Sequence, residues 1–178
     1  MYLFASSRSA RQPEILKEMK KKSSIKINLT DAEKKTLRGK KMKISDLVEF
    51  DRDEIEVLLD VPFARAQEIH ALAEFQTVPS VGIKFAEDLV FLGFYSLDEL
   101  KTEDAAKLVE AYEKKKGYWI DPCVEDQFRL MVHFAKYADY SKKWWDFTAE
   151  RKQYRLENGY PADRPNASWV DVLGIIRK

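Results

Sequence analysis

The 178-residue sequence holds one cysteine, two histidines, six glycines and almost no net charge, +1 over 31 basic and 30 acidic side chains. Cys123, alone, can make no disulfide within the chain. With His70 and His133 it leaves little material for a zinc site or a histidine-based triad, and six glycines leave little for a glycine-rich nucleotide cradle. The longest apolar stretches are too short for the roughly 20 residues that cross a bilayer, and no export signal is recognised. A cytoplasmic protein without catalysis, cofactor, metal or membrane contact is the expectation. A hydrophobic share of 45% in a chain of this length is enough to bury a core without staples.

The balanced charge conceals a division. Residues 1–43 carry an excess of nine positive charges and residues 44–178 an excess of eight negative ones. The basic segment includes Lys20, Lys21 and Lys22, then Lys34, Lys35, Arg38, Lys40, Lys41 and Lys43, and has few large apolar residues. It reads as an arm, partly disordered and partly helical from Thr30. Such an arm can neutralise phosphates in a salt-sensitive, sequence-independent way, or serve only as a solvated counterweight to the acidic body.

From residue 44 helical punctuation dominates and no period-two alternation stands out, so the fold is predicted all-α. Asp51 or Asp53 caps a helix to Leu59; Pro62 precedes another over Ala64–Phe75; Thr77–Gly82 breaks the chain. Ile83, Ala86, Leu89 and Val90 mark the next helix, which Gly93 ends. Ser96 and Glu99 frame a connecting helix Leu97–Lys101, and Thr102 caps a helix from about Glu103 to Lys116 that stops at Gly117. Asp121-Pro122 opens a helix apolar around most of its circumference, the expected centre of a bundle. A polar helix near Thr148–Glu157 and an apolar piece Trp169–Ile176 follow. Three regions result: a basic arm at 1–43, a helical domain at 44–138 and a Trp-rich extension at 139–178.

The most informative stretch is Val78-Pro79-Ser80-Val81-Gly82-Ile83-Lys84-Phe85-Ala86-Glu87-Asp88-Leu89, two helices joined almost without a loop. Gly82 is expected to supply a positive φ, Val81 to plug the gap between helices, and Ala86 to let them approach. Unpaired amides at the start of the second helix, around Ser80, Val81, Gly82, Ile83 and Lys84, would then face a phosphate. Lys114, Lys115 and Lys116 lead into a second turn at Gly117 and supply positive charge there, or merely favour the helix dipole. A weak repeat at an offset of twenty aligns Val61, Phe63, Ala66 and Ile69 with Val81, Ile83, Ala86 and Leu89. Its upstream copy places Pro62 opposite Gly82 and is expected to lack the positive-φ turn.

This hairpin resembles the helix-hairpin-helix motif, with Ser80 in place of the usual first glycine. The order of five helices is similar to the tandem form, in which two hairpins grip one minor groove. Phe75–Leu100 together with Asp121-Pro122-Cys123-Val124, Phe128-Arg129 and Phe134-Ala135 is similar to the bacterial "pathogenicity locus" family over about residues 64–138. The resemblance implies a DNA-related role in repair or maintenance and no catalytic residues. The expected partner is DNA, double-stranded in preference to single-stranded, bound with little base preference. The alternatives are a protein-binding adaptor whose hairpins are scaffolding, and an accessory domain of a repair enzyme.

Other groups carry weaker functional readings. Cys123 at a helix start is a conceivable nucleophile without a local base. His70 and His133 read as structural. Glu49, Asp51, Asp53, Glu54 and Glu56 read as a solvated helix start rather than a metal loop. Trp144, Trp145 and Phe147 beside Lys142 and Lys143 read first as core packing, with base stacking the alternative.

Overall fold

The computed structural model describes residues 25–174, and these are helical with no strand; Trp119 and Ser168 form an isolated bridge. Helix α1 spans Asp31–Gly39, α2 Arg52–Leu59, α3 Phe63–Phe75, α4 Ile83–Leu92, α5 Ala105–Lys116, α6 Pro122–Tyr137 and α7 Thr148–Asn158; a single turn, Trp169–Val172, follows. Short 3-10 turns occupy Ile44–Glu49, Asp98–Leu100 and Trp144–Phe147.

The boundaries follow from local chemistry. Thr30 and Glu33 cap α1 reciprocally, as Asp51 and Glu54 cap α2. Gly93 and Gly117, at φ 103° and 78°, close α4 and α5 in the left-handed region that a side chain resists. Helix α5 starts two residues later than expected. Asp104, not Thr102, receives the amides of Ala106 and Lys107 at 2.9 and 3.0 Å, because the turn at Leu100 continues through a bond from Glu103 N to Leu100 O.

One core unites these elements. Phe85 of α4 meets Phe128 of α6 edge-on at 4.9 Å, and Tyr112 of α5 meets the same ring at 5.7 Å. Ala66 and Ala86 are fully buried, which lets α3 and α4 come close, and Val78 and Val81 are buried in the bend between them.

The described part of the expected basic arm is built into this core. Ile27, Leu29 and Leu37 are buried in it, and Arg65 of α3 binds buried Glu33 at 2.9 Å and the carbonyl of Asn28 at 2.8 Å. Residues 25–43 are therefore part of the packed body; Lys20, Lys21 and Lys22 lie outside the described residues. At the other end, α7 docks on α6 through ion pairs. Arg151 reaches Asp126 at 2.7 Å, and Arg155 reaches both oxygens of Glu125 at 3.0 Å. Both carboxylates are buried, and Arg129 bridges Glu125 to Glu150. The polar stripe of α6 is thus covered by α7, which explains how a helix with charged residues sits at the centre of the molecule.

Candidate functional site

The bend from Thr77 to Gly82 departs from the expected geometry in one respect. Gly82 is extended, at φ −110° and ψ 174°, and the left-handed residue is Ser80, at φ 64°. Serine bears the strain at the place where the resemblance expects the first glycine. The same correction applies upstream. Asp60, twenty residues before Ser80, is also left-handed at φ 55°, and Pro62, like Gly82, is the extended residue before its helix. The upstream copy therefore makes the positive-φ bend after all. The two bends share a backbone and differ in chemistry: Pro62 lacks an N–H and Asp60 brings a negative charge, whereas Gly82 keeps its amide and carries no side chain.

At the α3–α4 bend the sequence-predicted residues do come together. Val81 is buried as a plug, Ser80 and Gly82 are exposed, Ile83 is half-buried, and the Lys84 side chain is 91% exposed. No side chain caps α4, and no acidic residue stands in its first turn. A Cβ built on Gly82 would meet nothing within 4 Å, so the capping position has room for a side chain. The carboxylates of the second turn have partners, one of them Lys84 itself. Glu87 accepts from Asn28 at 2.9 Å and lies 3.7 Å from Lys84, and Asp88 accepts the Tyr112 hydroxyl at 2.5 Å with Lys116 at 3.9 Å. Burial, above the opposing bond from Tyr112, raises the Asp88 carboxyl from its ordinary value, and burial together with Asp88 raises the Tyr112 hydroxyl.

The Trp-rich segment adjoins this bend, which no local pattern announced. The amide of Trp144 donates to Ser80 Oγ at 3.2 Å. Trp144 packs partly on the core and Phe147 is buried, as the packing reading expected, but Trp145 is exposed.

The α5–α6 turn is different in kind. Asp121 caps α6 with a bond from Cys123 N at 2.7 Å, placing a carboxylate where an anion would have to sit. Residues 164–169 lie across this turn as a strap: Trp119 N donates to Ala167 O at 2.9 Å and Trp169 N to Trp119 O at 2.8 Å. Arg164 makes bonds of 2.7 and 2.6 Å to the two oxygens of buried Glu113, which also accepts from Ile120 N at 3.0 Å. The three lysines before the turn are engaged within the chain. Lys114 pairs with Asp163 at 2.7 Å; Lys115 donates to Phe91 O at 2.5 Å; Lys116 lies 4.4 Å from the centre of the Phe91 ring.

The remaining candidates are scattered. Cys123 is exposed, and slight burial together with the Asp121 carboxylate pushes its thiol up, opposite to the activation a nucleophile needs. His70 lies on α3, lowered by burial, and His133 on α6 pairs with Asp139 at 3.3 Å. Among the described residues no three His, Cys, Asp or Glu side chains group to hold a metal ion, and no helix is long and apolar enough to cross a membrane.

Residues 68–153 match the family model Cdd1, pathogenicity locus. The matched span, just under half of the chain, runs from within α3 to within α7 and contains both the open bend and the Trp144–Phe147 turn. Residues 25–67 and the strap lie outside it. No curated protein and no solved structure matches the chain.

Proposed function

We infer that this protein is a non-enzymatic DNA-binding module that holds a backbone phosphate at the N-terminus of α4, with largely sequence-independent affinity. The observation that carries this reading is the open, uncapped start of α4, with exposed Gly82 and the Lys84 ammonium standing beside it. Unpaired helix amides carry partial positive charge and suit an anionic oxygen, and Lys84 adds a mobile full charge. The helix-hairpin-helix resemblance points the same way, toward DNA repair or maintenance.

The reading differs from a tandem grip on both strands. With the α5–α6 turn strapped and Lys114, Lys115 and Lys116 paired internally, contact falls to one bend. Phosphate contacts without base contacts predict binding to duplex DNA that weakens as salt rises, by a slope of about 1 for the bend alone. The test is a salt titration of duplex affinity for the full chain, for Lys84→Glu and for a variant lacking residues 1–24. That deletion stops short of Ile27, Leu29 and Leu37, whose removal would open the core. Lys84→Glu is expected to weaken binding at low salt and to flatten the salt slope by about 1. If the deletion alone abolishes all binding and Lys84→Glu changes nothing, the bend is scaffolding and the adaptor reading takes its place.

A further inference from the structure

Trp145 is the one tryptophan of four whose side chain stands nearly half in solvent, 48% exposed. Its support is fixed on three sides. Trp144 N is bonded to Ser80 Oγ at 3.2 Å, Phe147 is buried with its ring 5.3 Å from that of His133, and Asp146 closes the turn on Lys143 N at 2.9 Å. The indole packs edge-to-face on Trp144, ring centres 5.3 Å apart, and leaves the rest of its large aromatic surface in water, where burial does not account for it. Its surroundings are cationic: Lys142 and Lys143 are exposed, and Lys143 Nζ lies 5.1 Å from the Trp145 ring centre. The nearest carboxylate in sequence, Asp146, is bonded to the Lys143 amide. Ser80, to which the turn is tied, lies two residues ahead of Gly82, so the turn that carries the indole and lysines is anchored to the bend that leads into α4.

We propose that Trp145 stacks an unpaired base of a DNA strand whose backbone passes the start of α4, so that the protein prefers single-stranded DNA to closed duplex. This rests on the DNA-binding reading above and names the form of DNA it takes. Phosphate contacts alone do not distinguish the two forms. An exposed indole does, because bases within a duplex already have both faces covered, whereas each base of a single strand offers one. An exposed lysine-on-ring contact is weaker than base stacking on the same ring, so a base displaces Lys143 and frees its ammonium for the next phosphate.

The test measures anisotropy of a labelled oligothymidine and of a blunt duplex of equal length with the full chain, Trp145→Ala and Trp145→Phe, at low and moderate salt. The full chain is expected to bind oligothymidine more tightly than duplex. Trp145→Ala should weaken oligothymidine binding about 5- to 150-fold and duplex binding less than about twofold, with partial recovery in Trp145→Phe. The Trp145→Ala deficit should persist as salt rises, whereas a deficit from Lys84→Glu shrinks. Equal losses on both ligands, or no loss on either, overturn the stacking proposal and leave the phosphate site standing. If the full chain binds neither ligand, the DNA-binding reading falls with it. Trp145 is half in solvent, so its alanine variant keeps the fold, which circular dichroism verifies.

Discussion

Replacing Gly82 by aspartate should strengthen the fold and weaken DNA binding at once, a combination that a merely structural bend does not produce. Gly82 sits at φ −110° and ψ 174°, close to Asp51, which caps α2 at φ −78° and ψ 177° through a 2.8 Å bond from Glu54 N. The added Cβ meets nothing within 4 Å. An aspartate there can take the free amides of Lys84 or Phe85. Loss of glycine freedom in the unfolded chain contributes about 0.4–1 kcal/mol, capping a few tenths beyond glycine, and charge against the helix dipole about 0.3–1. A gain of about 1–2 kcal/mol raises the Tm of a chain this long by roughly 2–6 °C. The same carboxylate occupies the phosphate position and repels a second anion. Losing a charge-assisted hydrogen bond of about 1.5–3 kcal/mol weakens affinity roughly 10- to 150-fold. Gly82→Asn caps without charge and should stabilise comparably with a smaller binding loss. Calorimetry and anisotropy on the three proteins decide it. A raised Tm with duplex affinity unchanged within about twofold would refute phosphate binding at α4.

The other expectations concern the segments that proved to be integral. The Arg65 guanidinium holds the Glu33 carboxyl below its usual range, with the Thr30 amide adding to the effect. A depressed folded value contributes stability that is present above the unfolded carboxylate pKa, roughly 4.3, and lost as pH falls through the lower folded value. The Tm gap between the natural chain and Glu33→Gln should therefore be wide at neutral pH and close on acidification; a gap constant into acid contradicts this. Arg164→Ala leaves the Glu113 carboxylate buried with no cation. It should cost about 2–4 kcal/mol in urea unfolding, less than a fully enclosed pair because water reaches the strap. Hydrogen exchange at the bridge amides of Trp119 and Trp169 should speed in step, and a cost below about 0.5 kcal/mol would mean that the strap hardly matters.

Most element boundaries were legible because they rest on contacts within a few residues: Asp51, one of the two caps offered, with Gly93, Gly117, Asp121-Pro122 and Gly159, act where the pattern places them. Position within the bend was not. Glycine tolerates a left-handed conformation without requiring it, and Ser80 adopts it while Gly82 stays extended. Asp60 at the equivalent upstream place shows that the backbone path, and not the residue type, imposes the bend. The long-range partners had no local signal at all. Arg151 with Asp126, Arg155 with Glu125 and Arg164 with Glu113 join residues 25, 30 and 51 positions apart. Each reads in sequence as an ordinary solvated charge. The same holds for Ser80 and Trp144, 64 residues apart, whose bond brings the aromatic turn to the bend.

The inequality of the two helix–turn–helix units has a consequence for direction. One turn lies open and the other is closed beneath Arg164 and the Trp119–Ser168 bridge. Among the described residues, therefore, the two units are not related as equivalent halves. Anything threaded past α4 meets the Trp144 turn at Ser80 and Asn28 at Glu87, unlike groups in a fixed order. On the DNA-binding reading proposed above, a strand at α4 is expected to lie with one 5′-to-3′ polarity, and copies lined along it to point the same way.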